Sequence, residues 1–232
     1  MQVRGRRFRP VWMGIGAIII GMVLLFAISM ADELPGGFAD WRMSHAIGLN
    51  ETIRIPLGRT PDEAVQKFRH FPFMQVIHRE PLEGGVLLFI KRFTGQEGSD
   101  LQVEYVRKAW FGWKWVWGGG YGIGGNKNPK SPKSALNYMI MPRVNNSPFP
   151  MVFGDILDAS VKSIIVTAGG AGSGQYTAKL AGAEAGHAIW FAFLPSSAEP
   201  PYDIQGFNPM GAPVAHLTTN DPHGSGSIDL RD

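Results

Sequence analysis

Between Trp110 and Trp117 the chain reads Trp-Phe-Gly-Trp-Lys-Trp-Val-Trp, a stretch dominated by indole rings. On a strand, side chains alternate between the two faces, so Trp113, Trp115 and Trp117 share one. Such a row has two uses. Exposed, it is a flat aromatic ladder on which sugar rings stack or which lies at the level of lipid headgroups, with Lys108 and Lys114 adding positive charge. Buried, its indoles each remove about 150–250 Å² from water and supply much of a core. The residue types leave both open. A second cationic group, Lys127, Lys130 and Lys133, stands among prolines and is the other candidate binding surface.

The remaining chemistry is sparse. Gly120, Gly122 and Gly125 spell G-x-G-x-x-G, but a dinucleotide site needs that turn to open a helix, and Asn126 to Pro132, with two prolines, opens none promptly. The glycines from Gly169 to Gly174 lack the Lys-Ser or Lys-Thr of a phosphate-binding loop. Six histidines are scattered without a His-x-x-x-His pair, and no G-x-S-x-G elbow is present. With no cysteine, thiolate metal sites, thiol nucleophiles and disulfides are excluded. The pairs Glu80 with Glu83 and Asp155 with Asp158 fall at turn positions, where acids are ordinarily solvated. No catalytic, cofactor-binding or metal-binding residues are assigned. Were the chain a hydrolase or transferase, its acid and base would come from separated strands, with Glu104, Asp155 and Asp203 as the acids to replace.

The elements that position these residues begin with Val11 to Met30, twenty residues without a charge. As a helix rising 1.5 Å per residue, the run spans about 30 Å, the thickness of a bilayer core. Arg4, Arg6, Arg7 and Arg9 precede it and Asp32 and Glu33 follow, which predicts a cytoplasmic N-terminus and an exported remainder. Ser29 and Ala31 also suit a cleaved secretory signal, with release after Ala31; the length of the run favours a retained anchor. The net charge of +3 is largely this topology signal. After residue 31 the chain carries 18 Lys and Arg against 19 Asp and Glu, so a nucleic-acid partner loses its main support.

Past the anchor the pattern predicts an α+β chain. Residues 31–50 read as a spacer and residues 51–125 as a helix plus antiparallel β-meander domain. Its helix starts at Thr60-Pro61-Asp62-Glu63, where a capping hydroxyl, an N-terminal proline and a capping-box glutamate coincide. Strands are expected at 51–57, 73–80, 85–93, 101–109 and 113–117. Residues 126–147, with the glycine run before them, read as a Gly/Pro/Lys-rich linker. Six short apolar runs at near-regular spacing then predict an all-β immunoglobulin-like sandwich over 148–220, and 221–232 reads as a flexible tail.

The stretches Val103 to Lys108, Gly112 to Val116, Gly118 to Gly122, Phe153 to Ile156, Ile189 to Phe191 and Tyr202 to Gly206 together resemble a group of uncharacterised membrane-anchored extracytoplasmic proteins of Gram-positive, bacillus-type bacteria. The resemblance implies a Gram-positive cell surface and brings no activity with it. The expectation is a membrane-tethered, non-enzymatic binding or sensing module. Its partner would be a wall polymer or another envelope protein; a wall-acting enzyme or a structural subunit of an envelope complex is the alternative.

Overall fold

A computed structural model describes residues 9–46, 48–71, 74–91, 98–124, 132–145, 147–182 and 188–231. Helix α1 runs Arg9–Glu33. Its segment Gly14–Glu33 is long and apolar enough to cross a membrane, and none of that window is buried within the protein. Helix α2, Phe38–Ala46, occupies part of the stretch read as a spacer. Helix α3 spans Pro61–Arg69 and starts as its sequence predicts: the Thr60 hydroxyl accepts from the Glu63 amide at 3.1 Å, and Glu63 Oε2 accepts from the Arg59 amide at 2.7 Å. His70 ends it in the left-handed conformation, φ 54°.

Among the described residues, three antiparallel sheets follow. The first, sheet A, has the order β1-β5-β4-β3-β2 and comprises β1 (Leu57–Gly58), β2 (Gln75–Leu82), β3 (Gly85–Lys91), β4 (Gly98–Ala109) and β5 (Gly112–Gly124). It is the expected meander, with two corrections. The strand read over 51–57 is reduced to two residues. The glycine run from Gly118, read as the start of a linker, continues β5, because Gly118 lies opposite Glu104 and a side chain there would collide with that buried carboxylate.

Sheet B has the order β10-β11-β7-β6-β14, formed by β6 (Ser134–Met141), β7 (Met151–Asp155), β10 (Lys179–Ala181), β11 (Ile189–Phe193) and β14 (Ser225–Asp229). Sheet C, β13-β12-β8-β9, contains β8 (Ser163–Gly169), β9 (Gly174–Thr177), β12 (Glu199–Phe207) and β13 (Pro213–Thr219). Two of these strands correct the sequence reading. Residues 134–141, taken as linker, form β6, and the end of the stretch taken as a flexible tail supplies β14, which pairs with β6. In sequence, β14 is Ser-Gly-Ser-Ile-Asp, with one apolar side chain, whereas β6 is an apolar run that follows directly on the Gly/Pro/Lys-rich stretch.

Alternation explains how the layers stack. On β6, Leu136, Tyr138 and Ile140 face sheet C, while Met139 and Met141 face sheet A. Strand β11 divides the same way, with Trp190 and Ala192 toward sheet C and Ile189 and Phe191 toward sheet A. In sheet A, Leu87 and Phe89 meet sheet B, whereas Val86, Leu88 and Ile90 meet Ala64 and Val65 of α3. The order of layers is α3, sheet A, sheet B, sheet C. Sheets A and B are each buried on both faces, which is why strands such as Gly85–Lys91 and Ile189–Phe193 read as unbroken apolar runs.

Candidate functional site

The tryptophan row lies chiefly beneath α3. Trp115 is buried, and the Phe68 ring stacks on it at 3.9 Å between centroids and 17° between planes. Trp113 and Trp117 are half-buried against the same cluster. A bulge places Val106 opposite Trp115 and Tyr105 opposite Trp117, so Val116 is the extra residue and Trp117 packs into the cores on both sides of the sheet. An open ladder of three indoles is therefore not what the chain presents. Lys108 is exposed and sits 4.9 Å over the Trp113 ring. Lys133 is exposed and pairs with Asp158 at 2.5 Å. Lys127 and Lys130 lie outside the described residues.

Lys114 is the surprise. A candidate binding cation if the tryptophan face were exposed, it is 2% accessible. Its Nζ donates to the Glu33 carbonyl at the end of α1 at 2.9 Å and lies 2.6 Å from Asp40 Oδ1 of α2, an ion contact outside hydrogen-bond alignment. A buried ammonium needs such partners, and a helix C-terminus carries negative partial charge. Asp40 Oδ2 accepts in turn from the amides of Gly36 at 2.7 Å and Ile55 at 3.0 Å. The Glu33 carboxylate pairs with Arg107 at 2.5 Å and accepts from the Trp110 amide at 2.9 Å. One charge network, with Lys114 and Asp40 buried and Arg107 and Glu33 part-buried, thus ties the end of the apolar helix to α2, to the segment before β1 and to the β4–β5 hairpin.

Beside this network opens a groove of about 650 Å³. Trp115, Val116 and Trp117 line it with Met43, Ile55 and Val144, and its charged lining is Arg42, Arg107 and Lys114 with Asp32, Glu33 and Asp40. Asp32 Oδ1 is buried there without a hydrogen-bond partner. Arg42 is exposed at the mouth, its guanidinium 5.1 Å over the Phe38 ring. The chemistry of the lining matches a ligand with an apolar portion and a charged one. Of the residues singled out from sequence, Lys114, Trp115 and Trp117 come together here. Sequence reasoning missed Asp40 and Arg107. Asp32 and Glu33 it took only as markers of orientation, because nothing local shows that a hairpin 75 residues later returns to them.

The three acids named for a hydrolase do not assemble. Glu104 is fully buried in sheet A, held by Arg69 at 2.8 and 3.2 Å and by the indole of Trp115 and the amide of Gln102. Burial pushes its carboxyl up while Arg69 pulls the other way. A cavity of about 220 Å³ adjoins it, lined by Arg69, Asp100, Gln102 and Gly118 to Tyr121. Asp155 sits where sheets A and B meet, 2.7 Å from Lys91 Nζ, and accepts from the Tyr121 hydroxyl at 2.9 Å. Burial and then Asp155 push that phenol well above its usual range. Asp203 lies on the outer face of sheet C with His216 and Thr218. Among the described residues no group of three or more His, Asp or Glu is placed to hold a metal ion. No protein-family model, curated protein or solved structure matches the chain.

Proposed function

We propose that this chain is a membrane-tethered, extracytoplasmic, non-enzymatic binding module. In this reading α1 is the anchor, with the Arg-rich N-terminus in the cytoplasm, and the groove at the foot of α1 is the ligand site. The observation that carries it is the groove itself: about 650 Å³, lined by Trp115 and Trp117 beside Arg42 and the paired charges of Arg107 with Glu33 and Lys114 with Asp40, and built against the end of the apolar helix. Retention of the anchor is supported by Phe26, whose ring packs edge-on against Trp110 at 5.2 Å; cleavage after Ala31 would remove that partner. A Gram-positive cell surface accords with the cysteine-free composition.

The ligand this site suits is an anionic amphiphile, its apolar part against Trp115, Trp117 and Met43 and its charge at Arg42. The pair of sheets B and C is, in the same proposal, an immunoglobulin-like sandwich. Supporting it, β6-β7-β11-β10 and β13-β12-β8-β9 follow the strand orders A-B-E-D and G-F-C-C′ of that fold, with β14 added beside β6. Tyr202, near the start of the strand in the F position, donates its hydroxyl back to the Ala198 carbonyl at 3.4 Å, as a tyrosine corner does.

The test is a titration of the full-length protein, held in zwitterionic nanodiscs, with a short-chain anionic phospholipid and with solubilised wall glycans, following tryptophan emission. A saturable change with the lipid, weakened several-fold by Arg42→Ala, is expected. No saturable change with either class removes the groove as a ligand site. Turnover of peptidoglycan by the same preparation, abolished on replacing Glu104, Asp155 or Asp203, would put the enzymatic reading in its place.

A further inference from the structure

The tip of the β4–β5 hairpin is the pair Trp110-Phe111, closed by Ala109 opposite Gly112. A two-residue hairpin turn favours Asn, Asp and Gly, which supply the backbone conformation and are content in water. Here the turn instead carries two large aromatic side chains, 63% and 52% exposed. Turn geometry gives no reason for them. Nearby, on α2, Phe38 and Trp41 are 56% and 43% exposed and stack on each other at 5.2 Å and 16°. A protein in water rarely leaves so much aromatic surface uncovered beside one element.

The depth of this surface follows from its contacts with α1. The Trp110 amide reaches Glu33, the last residue of the helix, while its ring touches Phe26. Seven residues of helix separate those two contacts, about 10 Å along the axis. The hairpin therefore descends beside α1 past the helix end. If the uncharged run ends at Met30 at the edge of the hydrocarbon, Phe26 lies about 6 Å inside it, and whatever touches Phe26 lies at or below the headgroups. Cations sit where phosphates would then be: Arg42 over the Phe38 ring at 5.1 Å and Lys108 over the Trp113 ring at 4.9 Å.

We propose that Trp110 and Phe111 of the hairpin, with Phe38 and Trp41 of α2, insert into the outer leaflet around α1 and form a second footing on the lipid surface. The occupant of this aromatic surface is lipid at the interfacial level, where indole and phenyl rings are favoured. The footing fixes the folded part at one height and orientation and sets the mouth of the groove at the headgroups. It rests on the reading of α1 as a membrane anchor.

The absence of cysteine makes the test direct, because single-cysteine variants of the full-length chain can be spin-labelled at chosen positions. Phe111→Cys, Trp41→Cys, Leu25→Cys on the outward surface of α1, and Met210→Cys, 88% exposed on the sandwich, are each labelled in phosphatidylcholine vesicles. Collision with oxygen, which concentrates in lipid, is compared with collision with a water-soluble nickel chelate. The footing requires positions 111 and 41 to favour oxygen several-fold over position 210, at a depth shallower than position 25. Lipid-like behaviour at 25 with water-like behaviour at 111 and 41 overturns the footing and leaves the anchor standing. Water-like behaviour at 25 overturns both. Shielding of 111 and 41 from both reagents overturns lipid as the occupant in favour of a second copy or a partner protein.

Discussion

The two ends of the molecule bury different things. Between sheets B and C the core is apolar: Leu136, Ile140, Val152, Ile164, Val166, Trp190 and Ile204 fill it, and the Trp190 indole donates to the backbone carbonyl of Asn137 at 3.1 Å. At the foot of α1 the buried groups are charged: Asp40, Lys114 and, one strand over, Glu104, each less than 3% accessible. An apolar core stabilises through burial alone. A buried ion pair recovers its desolvation cost only through good geometry, and its loss leaves an uncompensated charge. The sandwich is built as a scaffold, whereas the foot spends stability on a defined arrangement of charges around a groove.

That contrast can be broken most severely at Trp190. Trp190→Ala empties the largest fully buried side chain of the sandwich and should cost about 3–5 kcal/mol in urea unfolding of the detergent-solubilised chain. A cost under about 1 kcal/mol would mean that the sandwich does not depend on close packing.

Next in size is Asp40→Ala, which strands the Lys114 ammonium and two backbone amides for a loss of about 3 kcal/mol. Its signature is local. Amide hydrogen exchange should accelerate in α2 and at Gly36 and Ile55 while β11 and β12 keep their protection. Uniform loss of protection would show that foot and sandwich unfold as one.

The smallest effect is expected at Asp203, where a polar cluster lies on the surface of the scaffold instead of inside the foot. Burial pushes this carboxyl up, but hydrogen bonds from Thr218, Gln205 and His216 outweigh that and hold it below its usual range. A lowered native pKa means that the carboxylate stabilises the fold above the unfolded value near 3.8 and that this contribution fades as pH falls through the native value. Asp203→Asn should therefore cost about 1 kcal/mol at neutral pH, held small by solvent screening. The difference from wild type should vanish in strong acid, and one that persisted there would assign the effect to shape instead of charge.

How much of this could be read from the chain differs by element. The α3 start was legible because capping is local: Thr60, Pro61 and Glu63 act within one turn. The meander was legible from its turn residues. The tryptophan row is visible in the sequence but its burial is not, because period-two spacing places Trp115 on a face without saying what covers that face. The foot was nearly invisible: Glu33, Asp40, Arg107 and Lys114 are spread over more than 80 residues, and each alone looks like an ordinary surface charge.

From sequence alone came a helix long and apolar enough to cross a membrane, a chain dominated by antiparallel strands after it, and the start of α3, since hydropathy, period-two patterning and capping all act over short stretches of chain. Only the tertiary structure decided that sheet A stacks on sheet B, that β6 and β14 complete that sheet, that Lys114 is buried and that a hairpin returns to the end of α1. Each of these is a contact between distant residues, and a side chain's own type does not record which neighbour folding brings to it.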